Sequence, residues 1–383
     1  MLAFTRSFAV VGVDAVPVTV EVDVAPGLPQ WVIVGLAASA VREARERVSA
    51  ALANAGVAVP TRRITVKNAP ADTRKEGTAL DLPIAIALAA AAGVVPTAAL
   101  EGLAFVGELG LDGSIRPVRG VLSMTRAVRR GAATLVVPAA NADEARLGLG
   151  DAASRCAPVG GLADLVAALR TGRLPTAPLA APRAGDPVAP PDLADVVGQP
   201  QARRALEIAA AGRHNVLFVG PPGAGKTMLA RRLPGLLPPL DDDARLEVLA
   251  IHSVAGLLTP DRLRSDAPPF RAPHHGTSVA GLIGGGVGPR PGEVSLAHRG
   301  VLFLDELLEA PRHVLDALRQ PLEDGVVTIA RAACMAQKPT YGEDIYPGLA
   351  EQVFTARPCT SSERHRSGAL SADVCGGRGV NAF

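Results

Sequence analysis

The chain has 383 residues, a length that as a soft prior suggests two or three domains. Hydrophobic residues make up 48 % and charged residues 20 %, so a sizeable core can be buried and disorder throughout is not expected. A formal net charge of +2 neither demands nor excludes a nucleic-acid partner.

Residues 8 to 24 are rich in valine with partial alternation, as in Thr19-Val20-Glu21-Val22-Asp23-Val24, and read as strands. Val41 to Asn54 places Val41, Ala44, Val48, Ala51 and Leu52 on one helical face, and Gly56 is a plausible stop. Arg63 to Asn68 reads as a short strand. Leu82 to Leu100 carries no charge, but Pro83, Gly93 and Pro96 interrupt it and alanine supplies most of its apolar content. A buried helix over Asp81 to Ala92, capped by Asp81, fits better than a membrane span. Phe105 to Leu109 and Leu135 to Pro138 read as strands flanking a helix near Val121 to Arg130. This mixture predicts one α+β domain over residues 1–170.

Six prolines between Thr171 and Pro191, without apolar periodicity, read as a semi-rigid linker. A second domain starts near Asp192, with a helix over Gln201 to Ala211 and a buried strand over Asn215 to Val219. A further apolar strand, Val301 to Leu304, follows. After Arg331 the composition changes abruptly: both tyrosines and three of the four cysteines fall there, with weak periodicity. Scattered cysteines do not read as a disulfide framework, and no basic-then-apolar leader opens the chain, so the cytoplasm is the expected address.

The chemistry concentrates in the second domain. Gly220-Pro221-Pro222-Gly223-Ala224-Gly225-Lys226-Thr227 matches G-x-x-x-x-G-K-[ST] in full. Glycines let backbone N–H groups close around phosphates, Lys226 reaches the outer phosphates, and Thr227 offers its hydroxyl to magnesium. The bland alternative is a glycine turn with a surface lysine. A strand before it and a helix over Met228 to Leu233 favour the phosphate loop, and only four lysines occur in the chain. ATP and Mg²⁺ are the cofactors this implies.

Val301-Leu-Phe-Leu-Asp305-Glu306 is an apolar strand tipped by two carboxylates, expected beside the first strand. Asp305 would hold the magnesium shell and Glu306 would polarise the attacking water. Taken alone, such a strand is often one meeting a solvated loop; downstream of a phosphate loop the two motifs support each other. His274-His275 lies in an irregular, Pro-flanked segment and reads as structural or substrate-facing, since His252 and His298 complete no ligand pattern. Gly281 to Gly292 reads as a glycine-rich loop that either touches nucleic acid or a neighbouring subunit, or is solvated. Arg62, Arg63 and Lys67 are candidate phosphate contacts, or a solvated basic edge.

Four stretches together resemble a known family: GLPQWVIVGL with VREARERVSAAL; APADTRKEG with DLPIAIAL; the phosphate-loop segment; and FRAPHHGTS through PRPGEVSLAHRGVLFLDELLE to LRQPLEDGVVTIARA. They are similar to the YifB/ComM family of magnesium-chelatase-like AAA+ ATPases, over nearly everything from residue 1 to about 331. The resemblance implies an α+β Lon-protease-like (ribosomal S5 domain 2-like) N-terminal domain followed by an α/β P-loop NTPase (AAA+) core at 192–331. It also implies hexameric rings acting on DNA as branch-migration motors, with magnesium chelatase subunits as relatives. Lon enzymes use a Ser–Lys dyad. Here the matching segment, Glu76-Gly-Thr78-Ala-Leu-Asp-Leu-Pro83, has no serine, and Val121-Leu122-Ser123 has no lysine, so peptidase activity is not expected. The family's sensor asparagine, its arginines for a neighbour's ATP site and its helical lid are not recognisable in Cys334 to Phe383. A core incomplete at its C-terminus and a frameshifted or truncated tail (332–383) are therefore expected. The alternative function is a nucleotide-binding fragment that does not hydrolyse.

Overall fold

The computed structural model describes the chain except for residues 35–38, 71–77, 176–189, 286–289, 307–309, 325–326, 328, 332–333, 337–351, 359–371 and 375–383. It divides into two compact units: Met1–Ala184 with Ser253–Leu258, and Gly185–His252 with Thr259–Phe383.

Among the described residues the first unit holds nine strands: β1 Leu2–Val11, β2 Asp14–Ala25, β3 Gln30–Val34, β4 Arg63–Ala69, β5 Leu103–Phe105, β6 Glu108–Leu109, β7 Ile115–Arg116, β8 Thr134–Pro138 and β9 Cys156–Val159. Seven of them form one mixed sheet in the order β3-β4-β2-β1-β5-β8-β9, and β6 pairs only with β7. The expected single strand from Phe105 to Leu109 is thus two strands in different sheets. Among its described α-helices are α1 Ser39–Asn54, α2 Asp81–Ala91, α3 Val121–Arg129, α4 Ala142–Leu149 and α5 Leu162–Thr171.

Alternation decides which face each strand buries. Val18, Val20, Val22 and Val24 of β2, with Ile64 and Val66 of β4, pack with Ala44, Val48, Ala51 and Leu52 of α1 and with α2. All eleven residues of α2 are buried, as its unbroken apolar composition predicts. A second cluster joins Phe8, Ala104 and Val106 to Val121, Met124 and Val128 of α3 and Leu149 of α4.

Asp81 does not cap α2, as the sequence suggested: the cap is Leu80, with no side-chain bond, and Asp81 sits inside the first turn, 1 % exposed. Its carboxylate receives the Arg47 guanidinium of α1 in a two-pronged contact, Nε to Oδ2 at 2.7 Å and a second nitrogen to Oδ1 at 3.1 Å. Burial raises the Asp81 carboxyl above its ordinary range even though Arg47 pulls it down, and the same bond raises Arg47. Truncating one partner of such a pair leaves an uncompensated buried charge. Arg47→Ala is therefore expected to destabilise the unit by about 3 kcal/mol in urea unfolding at pH 7. Without the guanidinium, Asp81 takes up its proton at a higher pH in the folded chain than with it. The loss should shrink as pH falls and the carboxyl protonates.

The second unit holds α6 Pro200–Gly212, β10 Val216–Gly220, α7 Lys226–Ala230, α8 Asp242–Ala255 as far as His252, α9 Pro260–Arg264, β11 Phe270–Arg271, α10 Val279–Ile283, β12 Gly284–Gly285, β13 Arg290–Pro291, α11 Glu293–Leu296, β14 Val301–Leu304, α12 Arg312–Asp324, β15 Ile329–Arg331, β16 Cys334–Ala336, β17 Gln352–Pro358 and β18 Ala372–Val374. Its main sheet runs β11-β14-β17-β10-β18, parallel throughout except for β18 against β10. Apolar side chains of α6, β10 and α7 join Val301 and Phe303 on one side; Leu302 packs with Leu282, Val294, Val314 and Leu318 on the other.

Two expectations change here. The acid-tipped strand β14 is not beside the phosphate-loop strand β10: β17 lies between them, its Phe354 opposite both Val216 and Phe303. The compositionally distinct tail, expected to lie outside the core, also contributes two strands to this sheet, β17 and β18. The physical reason is backbone accounting: buried N–H and C=O groups on the facing edges of β10 and β14 require a strand between them. Gln352-Val-Phe-Thr-Ala-Arg-Pro358 has β-branched and aromatic residues at its centre, which suit that place. Among the described residues of the glycine-rich stretch, Gly281 lies in α10, and Gly284–Gly285 pairs with Arg290–Pro291.

Candidate functional site

The strand β10 ends at Gly220 and the chain turns back through Pro221–Gly225 into α7. Gly223 at φ 80° and Gly225 at φ 81° lie in the left-handed region, which is why the loop needs glycine there. A Cβ on Gly223 would meet nothing within 4 Å, whereas one on Gly225 would meet Met228 Cε at 3.2 Å and Gln199 Nε2 at 3.3 Å. Among the described residues no partner takes the N–H of Gly223 or Gly225, while Ala224 donates to the Pro221 carbonyl at 3.3 Å. Lys226 Nζ donates to the carbonyls of Gly220 at 2.9 Å and Pro221 at 3.1 Å, so the ammonium is held over the mouth of the loop.

Across the cavity stand the two carboxylates. Thr227 Oγ1 donates to Asp305 Oδ2 at 3.3 Å, and the other Asp305 oxygen accepts the Glu306 N–H at 3.0 Å. Glu306 is a non-glycine residue at φ 52°, a costly conformation that the Asp305 bond helps to hold. The cavity of ≈ 350 Å³ is lined by the loop, Lys226, Thr227, Asp305 and Glu306. Every residue expected at the site is therefore gathered at one end of one sheet.

The chemistry of this donor set fits a nucleotide triphosphate with a divalent ion. Two unpartnered loop N–H groups and one ammonium suit phosphate oxygens, and a hydroxyl beside a carboxylate suits a hard cation. Gln199 adds to this. Its Nε2 donates to the Ala224 carbonyl at 3.0 Å, while its Oε1 is buried without a protein partner among the described residues. The sequence reading missed Gln199, and its left-handed φ of 51° ahead of α6 leaves no local signature in the sequence.

Other candidates find structural partners. Buried His252 contacts the Leu296 carbonyl through Nε2 at 3.0 Å, and burial pushes its pKa down to about 4. That ring is neutral at pH 7 and donates. His298 and Arg299 both reach Glu247 Oε2 at 3.1 Å, and the His298 bond first, then the Arg299 charge, hold that carboxyl below its ordinary range against burial. Arg271 grips Glu293 in two bonds of 2.6 and 2.7 Å, tying β11 to α11. Among the described residues the histidine pair joins no group of three or more His, Cys, Asp or Glu that could hold a metal ion; His275 Nδ1 stands 3.4 Å from Glu306 Oε2, a contact that the sequence could not show. In the first unit Thr78 donates its hydroxyl to Glu108, and Lys67 pairs with Glu21 at 3.4 Å.

Comparison with known proteins places this arrangement. A family model described as magnesium chelatase, subunit ChlI, matches residues 192–372, and a second, subunit ChlI of Mg-chelatase, matches residues 20–141. An uncharacterized protein of Mycobacterium tuberculosis is 46 % identical over 364 residues, covering 94 % of this chain and 70 % of that protein. The uncharacterized protein YifB of Escherichia coli is 42 % identical over 341 residues, and competence protein ComM of Haemophilus influenzae 46 % over 344. The chain belongs to the YifB/ComM family of magnesium-chelatase-like proteins.

Each of the latter two alignments covers 88 % of the chain and 66 % of the relative, so the chain spans about two thirds of their length. Membership carries with it the AAA+ P-loop fold. The match to residue 372 runs past Arg331 through β17, so the family's pattern extends into the compositionally unusual tail. Among the described residues no helix is long and apolar enough to cross a membrane.

The two loop glycines separate two costs. Gly223→Ala should lose about 1 kcal/mol of folding stability from backbone strain alone. Gly225→Ala adds the Met228 and Gln199 contacts and should lose about 2 kcal/mol. Denaturant unfolding of both variants against the parent checks the order.

Proposed function

We propose that this chain binds ATP with magnesium in the cradle at Gly220–Thr227 and, within a hexameric ring, uses its hydrolysis to drive branch migration on DNA. The observation that carries the reading is the Thr227 hydroxyl 3.3 Å from the Asp305 carboxylate, beside an ammonium held over a glycine loop. The printed name of the relative ComM, a competence protein, supports a role in handling incoming DNA.

In this reading the N–H groups of Gly223 and Gly225 receive phosphate oxygens, and Lys226 exchanges the carbonyls of Gly220 and Pro221 for the outer phosphates. Thr227 and Asp305 hold the ion; when bound, magnesium neutralises charge that builds on the phosphate oxygens. Glu306 accepts a proton from the attacking water. We assign residues 1–170 to a Lon-like domain without peptidase chemistry, 171–191 to a linker, 192–331 to the ATPase core and 332–383 to an atypical tail, in a cytoplasmic protein.

One observation favours a second reading, a nucleotide-binding module that does not turn over. The central strand β17 contains no asparagine, where the family resemblance implies one to position the water. A magnesium chelatase subunit is a weaker third reading, suggested by the descriptions of the matching family models.

Phosphate release by the purified chain, with and without branched DNA, separates these. The motor reading expects DNA-stimulated turnover that falls about 10²-fold or more in Lys226→Ala. Tight ATP binding with negligible turnover establishes the module instead, and absence of both binding and turnover rejects the two together.

A further inference from the structure

Gln199 has three features that its place at the head of α6 does not explain. Its backbone is left-handed, φ 51°, where glycine is the ordinary choice. It stands at the N-cap of α6, yet its side chain makes no capping bond to that helix. Its Oε1 is buried without a partner among the described residues, an unfavourable state for an amide oxygen. The side-chain hydrogen bond that it does make runs elsewhere, from Nε2 to the Ala224 carbonyl at 3.0 Å.

What that bond controls follows from peptide geometry. The Ala224 carbonyl and the Gly225 N–H belong to one planar trans peptide, so they point in opposite directions. A donor that draws the carbonyl toward Gln199 turns the Gly225 N–H away from Gln199, across the loop. The peptides on either side are already held: the Ala224 N–H donates to the Pro221 carbonyl at 3.3 Å, and the Gly225 carbonyl accepts the Leu229 N–H at 2.9 Å. The peptide between them has no other partner among the described residues. Glycine at 225 also lets this peptide turn over, because positive and negative φ cost it about the same. Turned over, it would aim a carbonyl oxygen at a phosphate oxygen and repel it.

The geometry points to Gln199 as a positioning residue that sets the Ala224–Gly225 peptide with its N–H toward the bound phosphates. This rests on the reading of Gly220–Thr227 as a phosphate cradle. The bond also polarises the peptide, which strengthens the Gly225 N–H as a donor. Strain and an unpaired amide oxygen persist at Gln199 because the surrounding structure holds it to that task. The role concerns the phosphates and is independent of the base.

The test measures the affinity of the full chain for ATP with magnesium and for inorganic triphosphate. Gln199→Ala should weaken both about three- to tenfold, the range that one hydrogen bond supports. Gln199→Gly removes the amide but relieves the left-handed backbone, so it should show the same loss even where the alanine variant folds poorly. Carbonyl-¹³C alanine with ¹⁵N glycine selects Ala–Gly peptides, and Gly225→Ala identifies the Ala224–Gly225 signal by its loss. In the nucleotide-free chain that signal should shift in both Gln199 variants. A lower unfolding midpoint with parental affinity for inorganic triphosphate overturns the positioning role, as does a loss confined to ATP or an unmoved Ala224–Gly225 signal. If the parent binds neither ligand, the cradle reading fails first and takes this role with it.

Discussion

The site depends on one constraint, the parallel direction of β10, β17 and β14. Parallel strands finish at the same edge of a sheet, so the loop after Gly220 and the carboxylates after Leu304 emerge on one side. Strand spacing of about 4.8 Å, counted twice across β17, sets the separation that the loop and the two side chains must bridge. Thr227, one residue into α7, closes the remaining gap to Asp305 at 3.3 Å. Register thus converts a sequence distance of 78 residues into a hydrogen bond.

The surrounding polar network serves that register. Arg271 and Glu293 join the edge strand to the short helix before β14, and Glu247 collects His298 and Arg299 immediately upstream of Val301. Arg299 adopts φ 61°, so a side chain that anchors this turn also has to tolerate strain there. Buried or half-buried ion pairs of this kind contribute less to net stability than to fixing one geometry. Here the fixed geometry is the approach of β14 to the cavity.

Much of this was legible in the sequence, for a definable reason. The phosphate loop is a local motif whose chemistry depends on residues within eight positions of each other, and its flanking strand and helix follow from local periodicity. The buried helix α2 was legible because every residue of Asp81–Ala91 faces the core. What failed was non-local. Nothing around Asp81 shows that Arg47 will meet it, so a carboxylate at a helix start looked like a cap. Nothing in Gln352–Pro358 shows that it enters the sheet between strands that precede it by roughly 50 and 130 residues. A short strand whose neighbours are both distant has no signature beyond its β-branched and aromatic centre. The contact of His275 with Glu306 belongs to the same class.

In the first unit the polar side chains at the start of α2 are taken up by structural partners. A serine–lysine dyad needs a hydroxyl facing an amine that can take its proton. In this chain the hydroxyl of Thr78 faces the Glu108 carboxylate, and the nearby Asp81 is committed to Arg47 and to the Leu109 N–H at 3.4 Å. Lys67 is paired with Glu21. These bonds tie α1, the start of α2 and the β6–β7 ribbon into one framework around a buried charge. Thr78 and Asp81 thereby help to hold the core of the unit together.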